Sequence, residues 1–383
     1  MIYLNGLFSI NPLGVNLEEQ LDSLQKNVGK YMVNTQGYLP KKQECFLGKL
    51  PFLDGVDNRN LELSLKTLEG SKDVIKKAQA KFNPKRIGLV IGSSTYQITQ
   101  VEEFAKKNFN EENQSIPFNQ NLYEIGILSE ILKEKFNLSG PSYTIATACS
   151  SASRAIITGA RLLNSDICDA VIVGASDSLS LITVLGFDSL GALSHTKAKP
   201  FSSARTGINI GEAAGFCVMS KEALEEKPLK LLGYGTSSDA HHISAPREDG
   251  LIAAKAVNDA LKIAKLSPSD ISYVNVHGTG TKLNDSMEGN VIRNVFGANT
   301  LFSSTKHLTG HTLAASGIVE AYIIKLILEH NLDLPYHDYE KEDYKEFNDL
   351  SLVTKPHVKT QGKIMMSNNF AFGGNNASLI FGV

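Results

Sequence analysis

Apolar residues along this chain alternate between continuous runs and a spacing near 3.6, and the changes of period mark the predicted elements. The first dozen residues read as a strand and a turn, 17–29 as an amphipathic helix and 30–55 as irregular. A second helix is predicted from about Leu61 to Phe82, and a strand over 86–92. The polar stretch 101–120 reads as a loop or short helix covering a pocket, and a helix over 122–136 leads to a strand over 143–148. From Ser150 onward, Ala152, Ala155, Ile156, Ala160 and Leu163 fall on one helical face. Residues 170–175 are nearly all apolar, as in a strand covered on both sides. Over 176–215 Gly and Ser dominate, with a strand signal only near 215–219.

Past Glu225-Glu226-Lys227-Pro228 the pattern predicts a strand near Leu231, a helix over about 250–264, a strand over 271–276, a helix over about 285–296, a short strand over 301–305 and a helix over about 313–328. Strands alternating with helices predict an α/β fold with covered sheets. The helices after Cys149 and after Leu313 share a layout, small residues first and larger aliphatics later. That likeness suggests a duplicated βα unit.

Composition narrows the picture. With 383 residues, 42% of them hydrophobic, the chain can bury a large core as two units, read as 1–226 and 227–383. A net charge of −2 offers no general attraction to nucleic acid or to an anionic membrane. No apolar run reaches the roughly 18 residues of a membrane span, and the early Asn11-Pro12 argues against a signal peptide or anchor. Cys45, Cys149, Cys168 and Cys217 are widely spaced with no CxxC pair, which disfavours a zinc site or disulfide framework and suits a reducing cytoplasm.

Candidate chemistry sits in four places. Cys149 lies where the strand period gives way to the helix period, and a helix N-terminus there is expected to lower the thiol pKa. His277-Gly278-Thr279-Gly280-Thr281 follows an apolar strand, at the carboxyl end where open α/β sheets place their sites. In Lys306-His307-Leu308-Thr309-Gly310-His311 no HExxH glutamate is present, so no metal is expected; a helix start should keep His311 neutral. Near the C-terminus, the paired glycines of Phe370-Ala371-Phe372-Gly373-Gly374 let backbone approach a ligand, and an N–H beside Phe372 could serve an oxyanion hole.

Taken together these motifs resemble those of the β-ketoacyl-acyl-carrier-protein synthases, from about Ile2 to Phe381. Thr147-Ala148-Cys149-Ser150 looks like the family's nucleophile elbow, and His277 and His311 like the two histidines of its chain-elongating members. The resemblance implies a thiolase-like fold, two duplicated halves in five αβαβα layers, paired as a homodimer or as a heterodimer with a related ketosynthase-like subunit. It implies decarboxylative Claisen condensation: Cys149 holds an acyl group, His277 and His311 bind the malonyl thioester oxygen, and Lys306 orients them with Asp285 and Glu288 as carboxylate partners. The N–H groups of Cys149 and Phe372 would form the oxyanion hole. Phe372, with Phe370, would gate the pocket, and Thr279 and Thr281 would hold the phosphopantetheine arm. No cofactor of its own is implied, because the phosphopantetheine belongs to acyl-carrier protein, the expected partner. Arg59, Lys66 and Arg205 are candidate docking cations for that acidic partner. The resemblance implies type II fatty acid, polyketide or aryl polyene synthesis, and Lys282, where elongating fatty-acid members carry Pro, looks more like a specialised pathway such as that of aryl polyenes. The alternative is a chain-length-determining subunit without catalysis of its own, and Cys149 argues against it.

Overall fold

The computed structural model describes residues 1–110 and 124–383. The described strands are β1 (Ile2–Ile10), β2 (Met32–Thr35), β3 (Cys45–Gly48), β4 (Ile87–Gly92), β5 (Ser142–Ile145), β6 (Ala170–Asp177), β7 (Ala213–Ser220), β8 (Leu229–Ser238), β9 (Tyr273–Asn275), β10 (Leu301–Ser303), β11 (Ile364–Ala371) and β12 (Asn375–Gly382). The helices are α1 (Leu17–Lys26), α2 (Arg59–Glu69), α3 (Lys72–Lys81), α4 (Ile98–Asn110), α5 (Ile127–Lys135), α6 (Ser151–Asn164), α7 (Leu181–Ser189), α8 (Leu251–Ala264), α9 (Lys282–Val295), α10 (Lys306–Thr309) and α11 (Ser316–His330).

Both β4 and β6 are buried along their whole length, which requires cover on each face. The sheet that contains them runs β10-β9-β11-β12-β8-β1-β7-β6-β4-β5. Its two ends repeat one plan. In each half a central strand, β4 or β9, has parallel neighbours, β5 and β6 or β10 and β11. The half is completed by two antiparallel strands, β7 and β1 or β12 and β8. The halves meet where Ile2–Leu4 pairs with Leu229–Leu231.

Helices α6 and α11 touch each other and strands of both half-sheets, so they form the middle layer. Helices α2, α3 and α5 cover the outer face of the first half-sheet, and α8 packs on the second with α9 against it. The result is five layers, αβαβα. Small residues set the spacing of the middle layer: a Cβ on Gly317 would lie 2.1 Å from Ser153 Oγ, so only glycine lets α11 start against α6. Further along, Ile318, Ile323 and Ile324 are fully buried. Each contributes about 1.5–3 kcal/mol by leaving water.

Some elements differ from the sequence reading. The long helix expected over 61–82 is two, α2 and α3, broken at Gly70-Ser71 where Ser71 Oγ donates to Gly6 O at 2.7 Å and Phe8 leaves no room for a Cβ at Gly70. The stretch read as irregular over 30–55 contains the hairpin β2–β3, whose strands are too short to show a period. Helix α7 lies within 176–215; its turns are apolar without a polar face, and Ser180 caps it by accepting from Thr183 N at 3.2 Å. Within 101–120, α4 runs to Asn110, and the rest of that expected pocket cover lies outside the described residues.

Candidate active site

The first functional group is set by strained backbone. Between β5 and α6, Ala148 takes a left-handed φ of 50°, which turns the chain sharply before Cys149. Ser151 Oγ locks the turn by accepting from Thr147 N at 2.9 Å and donating to Ala148 O at 2.6 Å. Helix α6 then starts at Ser151, two residues beyond the thiol. The expected depression of the thiol pKa is not the net result. Burial pushes Cys149 up to about 11, while the Lys306 charge and the backbone N–H groups of Phe372 and of Cys149 itself pull the other way. Without a bound acyl group the residue is therefore a thiol at neutral pH, with donors already aimed at its sulfur.

The two histidines come from the second half. His277 follows β9, and Glu288 of α9 fixes its loop by accepting from His277 N and Gly278 N, each at 2.7 Å. His311 lies beyond α10, after Gly310, and its backbone is held by His311 N donating to Asn209 O at 2.6 Å. The two rings stand almost perpendicular, at 86°, with centroids 5.2 Å apart. Both imidazoles are held well below their ordinary pKa, first by burial and then by the nearby Lys306 charge, with each His277 proton further opposed by His311. They are neutral at physiological pH.

The tautomer of His311 follows from its neighbours. Leu313 N donates to His311 Nδ1 at 3.1 Å, and a backbone N–H can do so only if Nδ1 carries a lone pair. Ser316 Oγ lies 3.2 Å from the same nitrogen. The proton is thus on Nε2, making that nitrogen a neutral hydrogen-bond donor. His277 Nδ1, in contrast, is buried without a partner among the described residues.

The expected carboxylate partners of Lys306 are corrected. Lys306 Nζ pairs with Glu320 of α11 at 2.7 Å, both side chains being about 3% exposed. Glu320 Oε2 also accepts from Ser367 Oγ and Asn369 Nδ2, each at 2.8 Å, and Ser153 Oγ of α6 donates to Asn369 Oδ1. Asp285 instead accepts from Phe201 N at 2.8 Å and Gly280 N at 3.2 Å, so it and Glu288 organise the loop after β9. Burial raises Asp285 to about 6 and Glu288 to about 8. A charge-only search favours acids near the histidine motif in sequence. The missed signal was Glu320 itself, the one acid in the first three turns of a mostly apolar helix.

Cys149, His277 and His311 line a cavity of about 560 Å³, together with Thr279, Thr281 and Phe372. Thr279 Oγ1 and Thr281 Oγ1 are 3.0 Å apart. Phe370 is buried at the end of β11, and Phe372 sits in the following turn, where Gly373 and Gly374 have φ of 77° and 71°. Phe187 of α7 packs on Phe372 with ring centroids 5.7 Å apart, a contact the sequence did not signal. Of the candidate docking cations, Lys66 is exposed with its ammonium 3.8 Å over the Phe52 ring. The other two are corrected. Arg59 Nη2 donates to both carboxylate oxygens of buried Glu212, at 2.7 and 2.9 Å, and buried Arg205 is bound to Glu346 at 2.6 Å.

Cys149 Sγ and one ring nitrogen each of His277 and His311 all lie within 4.8 Å of one another. By donor type such a set could hold zinc. The Lys306 charge that disfavours a proton on either ring also opposes a cation there. The geometry suits an anion instead: a thiolate, or an oxyanion facing N–H donors in a buried site.

Comparison with known proteins places the chain in a family. Residues 54–224 match the model for the N-terminal domain of β-ketoacyl synthases, and 230–340 match that for the C-terminal domain. The chain belongs to the β-ketoacyl synthase family. It is 39% identical to a chain of the solved ketosynthase in complex with its chain length factor from Xenorhabdus doucetiae, covering 100% of this chain and 98% of that one with a TM-score of 0.91. It is also 36% identical over 263 residues to the mitochondrial 3-oxoacyl-acyl-carrier-protein synthase of Arabidopsis thaliana, and 35% identical over 261 residues to 3-oxoacyl-acyl-carrier-protein synthase 2 of Rhizobium meliloti (strain 1021). Each of these two alignments takes in 63% of this chain, and they span 56% and 61% of the respective relatives. A type II polyketide ketosynthase in complex with its acyl-carrier protein, 22% identical, shares the fold with a TM-score of 0.88 over 100% of this chain and 99% of its own.

Proposed function

We propose that this chain is a β-ketoacyl-acyl-carrier-protein synthase of the elongating type. The observation that carries the reading is the convergence of Cys149 Sγ with His277 and His311 in one cavity, beside a buried ammonium and backbone N–H donors. In the first half-reaction Cys149 sulfur attacks the acyl thioester, its proton passes to a neutral imidazole, and the carrier's thiol departs with a proton. In the second, the carboxylate carbon of the malonyl group leaves as CO2. The bonding electrons stay on the thioester as an enolate, stabilised by Nε2–H of His311 and by His277. The enolate carbon bonds to the acyl carbon, an oxyanion forms against the N–H groups of Cys149 and Phe372, and its collapse expels the Cys149 thiolate.

Lys306 favours both anions and is itself held by Glu320. Thr279 and Thr281 bind the phosphopantetheine arm, and Phe372 closes the acyl pocket against Phe187. The carrier protein supplies the only prosthetic group. With Arg59 and Arg205 engaged in ion pairs, Lys66 remains the docking candidate of the three. Four free buried cysteines suit the cytoplasm, and among the described residues no helix is long and apolar enough to cross a membrane. We read 1–226 and 227–383 as the two units, a reading supported by the repeated half-sheet plan.

A second reading concerns assembly. The Xenorhabdus doucetiae relative is a ketosynthase complexed with its chain length factor, which favours a heterodimer with a related subunit over a homodimer. The test of function is intact-protein mass after mixing with acyl-carrier proteins bearing different acyl groups, wild type beside Cys149→Ala, then adding malonyl-carrier protein. An acyl increment absent from the variant, followed by a longer ketoacyl product on the carrier, is the expected result. No increment with any donor, with or without a partner subunit, would overturn it.

A further inference from the structure

Asp177, the last residue of β6, is fully buried, makes no ion pair among the described residues, and lies outside the groups so far assigned to the chemistry. Its carboxylate accepts six hydrogen bonds. Oδ1 accepts from Ser93 Oγ, Ser94 N, Thr95 N and Thr95 Oγ1 at 2.8–2.9 Å. Oδ2 accepts from Ser94 Oγ and, across the two halves of the molecule, from Ala314 N at 2.8 Å. The first five fasten the turn after β4. The sixth reaches the turn that sets His311.

That turn is strained. Leu313 carries a left-handed φ of 51°, a conformation that a residue with a Cβ keeps only when its surroundings enforce it. Leu313 N is the group that donates to His311 Nδ1, and the adjacent Ala314 N is the one held by Asp177. If the turn relaxes, Leu313 N swings away and Nδ1 loses its main reason to stay unprotonated.

We propose that Asp177 is a positioning residue for the decarboxylation step: anchored in the first half, it pins the 312–314 turn of the second, and thereby fixes His311 as the tautomer that donates from Nε2. It touches no substrate in this account. The proposal rests on the function proposed above, but its structural part can be read without turnover. Replacing Asp177 also removes a negative charge that opposes the Cys149 thiolate, so acyl loading should not suffer.

The experiment compares wild type, Asp177→Asn and Asp177→Glu in two half-reactions, acyl loading of Cys149 followed by mass and CO2 release from malonyl-carrier protein, and reads the His311 tautomer by ¹⁵N-histidine NMR, with His311→Ala to assign its signal. In Asp177→Asn an amide must face the Ala314 N–H or surrender the Ser93–Thr95 donors. We expect CO2 release to fall at least about tenfold with loading within about threefold, and the Nε2–H tautomer to be lost or mixed. Asp177→Glu, which keeps the charge and both acceptors, should recover most of the CO2 release. Equal loss of both half-reactions, or no loss of CO2 release, would overturn the proposal. So would a wild-type His311 carrying its proton on Nδ1, a result that needs no variant to fold. A wild-type protein that neither loads nor decarboxylates would instead refute the parent function, while the NMR comparison would still decide whether Asp177 sets the tautomer.

Discussion

The connections β5–α6 and β10–α11 occupy the same place in the two half-sheets, each leading from an outer parallel strand into a helix of the middle layer. The first has five residues, 146–150, and the second twelve, 304–315. The short one makes one tight turn and leaves a thiol at the helix start. The long one has room for α10, for Lys306 and for His311. From equivalent starting points, connection length decides what each half can present: the short elbow offers a thiol with its own backbone N–H directed at the sulfur, and the long one offers a charge and a ring reaching across to it. Division of labour here is a matter of loop length on a repeated scaffold.

The largest expected effect comes from emptying the short elbow. Cys149→Ala should remove the acyl increment in mass spectrometry completely, and a residual increment on the same peptide would show that another group is the nucleophile. Emptying the long elbow should split the half-reactions. His311→Ala is expected to slow CO2 release by about 10²–10³, the scale of losing one preorganised donor, with loading much less affected. Equal slowing of both would mean that His311 serves the two halves alike.

Next in size is the ion pair that joins the long elbow to its helix. Glu320→Ala leaves Lys306 buried without a partner and should cost about 3–5 kcal/mol in denaturant unfolding. A cost under about 1 kcal/mol would show that the lysine finds water or another acid. The smallest effect concerns protonation. His277, His307, His311 and His337 are all depressed by burial, His337 to about 3. Each is neutral when folded but takes up a proton in the unfolded chain below about pH 6.5. Their contribution is therefore complete above that pH and falls as the pH drops below it. Glu288 and Asp285, raised by burial, act oppositely: each favours the fold most below its unfolded pKa and loses that contribution as the pH rises through about 8 and about 6. His337→Asn should accordingly reduce the slope of stability against pH, between pH 5 and 6, by about 1.4 kcal/mol per unit. An unchanged slope would mean that His337 titrates normally in the fold.

The sequence exposed the elbow cysteine, His277 and the glycine turn because each interrupts a regular period at the end of a strand, and His311 because a polar Lys-His-Gly-His run precedes an apolar helix. The five-layer plan came from the resemblance those motifs carry, with the shared layout of α6 and α11 as an independent hint. What stayed hidden depends on three-dimensional neighbours. Arg59 and Lys66 lie on one helix and look alike as surface cations, yet only a folded chain puts Glu212 beside the first. Sequence proximity pairs Lys306 with acids close to the histidine motif, whereas the fold brings it Glu320 from α11. The helix start at Cys149 is legible in the sequence as geometry but the thiol's pKa is not, because the desolvation that outweighs the helix start belongs to the whole cavity.

Lys306 acts on all three central groups in one direction: its charge eases a proton off Cys149 and keeps protons off both rings. In the proposed cycle the thiolate and the enolate occur in turn and never together: the enolate is spent in forming the tetrahedral oxyanion, and the collapse of that oxyanion then releases the thiolate. A single fixed positive charge can thus serve two anions by time-sharing. Within that proposal a second cation would hold whichever anion was present more tightly and slow its departure, so one charge paired with Glu320 suits both halves of the cycle.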